Sequence, residues 1–110
     1  MDRVIEKLKE GYLVSFDNVE DFKRCVFALR DCGITAFSGC DDRTIADCYV
    51  RASTKRGGHE PVAIGLHETI YGYTFVYCYT QWYLNRLDCR ILNYENFQEK
   101  KYSIDFESIY

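Results

Sequence analysis

The feature that most constrains this 110-residue chain is a strand, helix, strand run between residues 12 and 37. Tyr12-Leu13-Val14-Ser15-Phe16 has the aromatic and β-branched character of a strand and stops at Asp17-Asn18, residue types suited to turns and caps. Asp17 or Asn18 can open a helix, because Glu20 or Asp21 stands three residues on as a capping-box partner. Phe22, Cys25, Val26, Leu29 and Cys32 then recur at helical spacing. The other face of that helix carries Glu20, Asp21, Lys23, Arg24, Arg30 and Asp31, a solvated charged surface, and Gly33 sits where a helix-ending glycine belongs. Ile34-Thr35-Ala36-Phe37 follows as a second strand. Such a crossover is right-handed as a rule and sets its two strands parallel in one sheet, adjacent or with one strand between them.

The rest of the chain reads around that unit. Val4, Ile5 and Leu8 make residues 2–10 a short helix closed by Gly11. Residues 40–52 fit either a helix through Ile45, Ala46, Tyr49 and Val50, capped by Asp41 or Asp42, or a strand at Cys48-Tyr49-Val50, and periodicity does not choose. Residues 52–61 are polar and glycine-rich, a surface loop. Val62 to Leu66 and Tyr73 to Tyr79 read as two strands joined by a hairpin over residues 67–72. In the second strand, alternation puts Tyr73, Phe75, Tyr77 and Tyr79 on one face and Thr74, Val76 and Cys78 on the other, so neither face is polar and the strand belongs inside a sheet. Residues 81–90, with Trp82, Leu84, Leu87 and Cys89, fit a short helix or a loop into Ile91-Leu92; residues 98–110 fit an edge strand or a frayed tail. The expected fold is one α+β domain over residues 1–110, with a mixed or antiparallel sheet and one main helix, residues 18–32, on one face. This length leaves no room for a second domain.

Hydrophobic residues at 47%, charged residues at 28% and a single proline describe a chain that folds. Fourteen Lys and Arg against seventeen Asp and Glu give a net charge of -3, which disfavours generic nucleic-acid binding. The first ten residues lack a continuous apolar core, and no run approaches the ~18 apolar residues of a membrane span, so the expectation is a cytoplasmic protein without a membrane partner. Six cysteines (Cys25, Cys32, Cys40, Cys48, Cys78, Cys89) fall below the ~8–10% of a disulfide scaffold and read as reduced thiols, a secreted three-disulfide framework being the alternative. Cys25 and Cys32, two turns apart on the apolar stripe, are expected to react slowest with a thiol reagent, and Cys40, beside Asp41, first.

No Cys-x-x-Cys, His-Glu-x-x-His or glycine-rich phosphate loop occurs, so the sequence assigns no catalytic residue, metal or cofactor. A nucleophile pair of His59 or His67 with Cys40 or Cys78, or a carboxylate group of Asp41-Asp42 with Glu60 or Glu68, competes against plain readings as core thiols and turn caps. The informative excess is aromatic. Ten Tyr, seven Phe and one Trp are 16% of the chain, and Tyr71, Tyr73, Tyr77, Tyr79, Trp82 and Tyr83 gather around the hairpin. Such residues either form an interface or pack the sheet's own core. With Lys55 and Arg56 of the cationic loop, and Glu60 and Glu68, they are the candidate partner-binding set. A homodimer through the hairpin or an edge strand is also expected, because a helix on one face leaves the opposite aromatic face open unless the Trp82 segment or the tail covers it.

The run Tyr12 to Phe22, then Leu29, Gly33-Ile34, Phe37-Ser38-Gly39, Val62 to Leu66, Tyr71-Gly72 and Ile91-Leu92, resembles small α+β accessory proteins of phages and prophages. The resemblance implies a viral role in the host cytoplasm: binding and disabling a host enzyme or immune effector, as anti-CRISPR proteins do. On it rests the leading expectation, a non-enzymatic inhibitor of a host defence nuclease. Glu60, Glu68, Glu95, Glu99, Asp105 and Glu107 would complement the nuclease's basic channel. The alternative is a binder of a small ligand or nucleotide signal, a sponge, with Lys55, Arg56 and Arg86 for phosphate and Tyr or Trp rings for stacking. An enzyme comes third and would need a depressed thiol pKa at Cys40, Cys48 or Cys78.

Overall fold

In a computed structural model, residues 1–36, 45–86 and 90–97 are described, the side chains of residues 86, 96 and 97 excepted. In chain order they form α1 (Asp2–Lys9), β1 (Leu13–Phe16), α2 (Val19–Asp31), β2 (Thr35–Ala36), α3 (Ile45–Ser53), β3 (Val62–Thr69), β4 (Gly72–Tyr79), α4 (Thr80–Arg86), β5 (Ile91–Asn93) and α5 (Tyr94–Phe97). The fold is α+β, with one open, mixed five-stranded sheet in the order β2-β4-β3-β1-β5. β3 is antiparallel to β1 and β4, while β5 is parallel to β1 and β2 parallel to β4. β1 and β2 therefore run parallel, as the crossover requires. Two strands lie between them, not one, because the β3–β4 hairpin inserts into the gap.

Local chemistry sets the helix ends. Asn18 accepts the Asp21 N–H at 2.9 Å, and its amide donates to the Asp21 carboxylate at 2.9 Å, fixing the start of α2. At the other end the Ile34 N–H reaches back to the Leu29 carbonyl and the Gly33 N–H to that of Arg30, a Schellman closure that needs the left-handed φ of 80° at Gly33. Gly11 closes α1 with the same pair of bonds. That closure corrects one expectation. Cys32 is the capping residue, where the helical stripe has ended, and it is exposed, whereas Cys25 on the same stripe is fully buried.

α3 resolves the ambiguity of residues 45–52. Ile45, Cys48, Tyr49 and Ala52 are buried at helical spacing, and Val50, which made the segment look strand-like, points to solvent. The N-terminal part of that segment, with Cys40, Asp41 and Asp42, lies outside the described residues, as do Cys89 and residues 98–110.

One face of the sheet holds the main core. Val14, Phe16, Val62, Ile64, Phe75 and Leu92 pack under α1, α2 and α3. A ring cluster joins them: Phe22 lies edge-on to Phe16 at 6.2 Å, to Tyr49 at 5.3 Å and to Tyr77 at 5.8 Å. The aromatic face of β4 is thus the covered one, which removes the premise of an open aromatic face offered to a second copy. The opposite face, with Leu13, Ala63, Ile91 and Cys78, is covered in part by Trp82 and Tyr83 of α4. There a buried Ser15 hydroxyl is hydrogen-bonded to that of Thr80 at 2.8 Å. Gly65 is the tight point: a Cβ on it would stand 2.2 Å from Cδ2 of Leu13.

Candidate functional site

The β3–β4 hairpin is longer than its sequence suggests. The strands pair from Val62–Tyr79 to Thr69–Gly72, so the connection is only Ile70-Tyr71 rather than the six residues 67–72. The Thr69 hydroxyl organises the turn, accepting the Tyr71 N–H at 3.2 Å and donating to the Gly72 carbonyl at 2.9 Å. β1 flanks β3 only along Val62–Ile64, and β2 flanks β4 only at Thr74 and Phe75. Among the described residues the last pairs therefore project from the sheet as a two-stranded ribbon. At its tip Ile70 is 91% exposed and Tyr71 94%.

At the other end of the hairpin α3 runs into β3, β4 runs into α4, and a cleft of about 800 Å³ opens between α3, β4 and α4. Phe75 and Tyr77 line it from the inner face of β4 and Val76 and Cys78 from the outer, so the cleft wraps the edge of that strand. Cys48, Arg51, Ala52 and Lys55 form one wall, Trp82 and Tyr83 the other. The two rings of that second wall hold each other edge-to-face at 5.1 Å, with Tyr83 5% exposed. Arg51 Nη2 lies 3.8 Å from the Cys48 sulfur.

The candidate set thus divides. Tyr71 is free at the tip and Glu68 is exposed on the ribbon, while Tyr73 and Tyr77 pack against the main core. Tyr79 is buried with the Arg56 guanidinium 4.9 Å above its ring. Arg56 is committed: its Nε donates to Glu60 at 3.0 Å, its Nη2 pairs with the same carboxylate, and the Glu60 carboxyl is held below its usual range chiefly by that hydrogen bond. Glu60 also anchors the glycine-rich loop through its main chain, since Ser53 Oγ donates to the Glu60 carbonyl at 2.7 Å. Lys55 and Trp82 line the cleft with Tyr83; the side chain of Arg86 lies outside the description.

The proposed acidic face is not assembled among the described residues. Glu60 is paired, Glu68 lies near the hairpin tip and the exposed Glu95 follows β5 at the opposite end of the sheet, while Glu99, Asp105 and Glu107 fall outside. His67 and Cys78 do not meet either. They stand four register steps apart on paired strands, roughly 13 Å. No three His, Cys, Asp or Glu side chains gather in a metal-binding group among the described residues, and no helix is long and apolar enough to cross a membrane there.

Sequence reasoning misses the α3 contribution, Cys48, Arg51 and Ala52, because periodicity alone does not choose between helix and strand there. The signal was present: Cys48-Ala52 and Arg51-Lys55 are both four apart, the spacing that sets an apolar and a cationic row side by side on one helix. Comparisons with family models, with curated proteins and with solved structures find no match to this chain.

Proposed function

We propose that this chain is a non-enzymatic binding protein that inserts its hairpin tip into an apolar pocket of a protein partner. The observation that carries the reading is the pair Ile70 and Tyr71, two large side chains almost wholly in water at the end of a projecting ribbon. Large apolar groups gain little by staying exposed, and Tyr is among the residues most often found at interface hot spots. The resemblance to phage accessory proteins supplies the class of partner, a host defence effector. With the acids scattered, contact by apolar insertion is favoured over imitation of a nucleic acid.

The test places a photo-crosslinking amino acid at position 71 and, as control, at exposed Arg24, and irradiates each in a bacterial lysate. The expected result is one stoichiometric protein adduct from position 71 alone, abolished by Ile70→Asp. Equal adducts from both positions, or none across several hosts, would reject the reading.

A further inference from the structure

We propose that the cleft between α3, β4 and α4 is a second, independent site, built for a planar aromatic ring that carries phosphate, the chemistry of a mononucleotide. Three observations converge. The cleft's volume, about 800 Å³, lies within the ~300–1,000 Å³ of small-ligand sites. Its walls are aromatic and apolar, with the Trp82 ring held against Tyr83 rather than left to rotate. Its only charged lining groups among the described residues are Arg51 and Lys55, in a chain whose net charge is -3.

The charge pattern decides the ligand class. Among the described residues three cations are paired with acids, Arg56 with Glu60, Lys7 with Glu10 and Arg24 with Asp21, and neither Arg51 nor Lys55 is one of them. No acidic side chain of the described residues lines the cleft, so Arg51 and Lys55 set up a local positive field beside apolar walls, where an anion's charge is poorly screened. A plain anion would leave the rings without a role, and an uncharged aromatic would leave the two cations unanswered. A ring stacked on an aromatic wall with phosphate at the rim uses both, as bases do on the aromatic side chains of single-strand binders. The assignment also corrects the residues that the sequence suggested: Arg51 joins Lys55 in the phosphate role in place of Arg56, which is bound to Glu60.

Trp82 is the single tryptophan, so intrinsic fluorescence reports on the cleft directly. The full chain is titrated with purine and pyrimidine nucleoside monophosphates, the matching nucleosides, inorganic phosphate and a single-stranded oligonucleotide. The expected result is saturable quenching by at least one monophosphate below about 1 mM, with its nucleoside about tenfold weaker. Inorganic phosphate should leave the emission unchanged. The R51E/K55E double variant, altered at exposed positions and checked for an unchanged melting temperature, should lose the response. Absence of saturable quenching by every monophosphate overturns the proposal. So do undiminished binding in R51E/K55E, a nucleoside that binds as well as its monophosphate, and an oligonucleotide that binds tighter than any monophosphate. The tip variant Ile70→Asp is expected to bind the monophosphate normally, which separates this site from the partner contact.

Discussion

The two ends of the β3–β4 hairpin carry tyrosines of the same composition to opposite fates. Tyr77 and Tyr79 belong to one alternating row of β4, and that row faces α2, α3 and the clamped loop, so their rings are packed. Tyr71 stands only a few residues away on the same hairpin and is 94% exposed. The difference is in what flanks the strands. β1, β2 and three helices cover the hairpin near its base, and no described strand flanks its last pairs, beyond which Ile70 and Tyr71 stand in water. An aromatic residue is therefore no marker of an interface until its neighbours are known.

The base of the hairpin should break hardest. Phe75 is fully buried and touches the main core, so Phe75→Ala should cost about 3–5 kcal/mol, read as a collapse of the denaturant midpoint. A loss under about 1 kcal/mol would mean that the inner face of β4 is not core. Next is the crossing of β3 and β1. A Cβ at Gly65 meets the Leu13 side chain, so Gly65→Ala should cost about 1–3 kcal/mol by overpacking. Leu13→Val should recover part of that loss in the double variant, because the clash is with the end of the leucine.

The pH axis tests the core from another side. Burial pushes the Cys25 thiol from 9.0 up to about 12. Above pH 9 the unfolded chain loses this proton while the folded chain keeps it, so stability falls as pH rises between those values. The slope attributable to this group is at most about 1.4 kcal/mol per pH unit. Comparing wild type with Cys25→Ala between pH 8 and 10 should show the shallower alkaline loss in the variant. The same burial makes Cys25 the slowest thiol toward a labelling reagent, with Cys32 fast. A smaller gain is expected at Thr74, whose buried hydroxyl has no hydrogen-bond partner among the described residues. Thr74→Val should raise stability by about 1 kcal/mol.

Local signals explain how much was legible beforehand. Caps and glycines at Asn18, Gly11 and Gly33 are contacts within a few residues, and they placed α1, α2 and the starts of the strands that follow. Alternation in residues 73–79 assigned β4 its two faces but not which face the helices would take, and that choice depends on strand order. Strand order is non-local: the hairpin's insertion between β1 and β2 leaves no trace in either strand's sequence. The same limit hid the cleft, since α3, β4 and α4 supply it from three separated segments and each reads alone as ordinary packing.

The smallest expected stability effect is at the tip, and it tests the contrast most directly. Ile70 and Tyr71 bury almost nothing in the folded chain, so replacing them should remove almost no apolar contact. The turn is held by the Thr69 hydroxyl and the Gly72 backbone, neither of which the exchange alters. The double variant I70T/Y71S should therefore stay within about 0.5 kcal/mol of wild type, while Tyr77→Ala, on the same strand, should lose about 3 kcal/mol or more. A tip loss above about 1 kcal/mol would show that Ile70 and Tyr71 pack against a part of the chain beyond the described residues. The hairpin's two ends would then both be core, and the exposed pair would no longer support a partner.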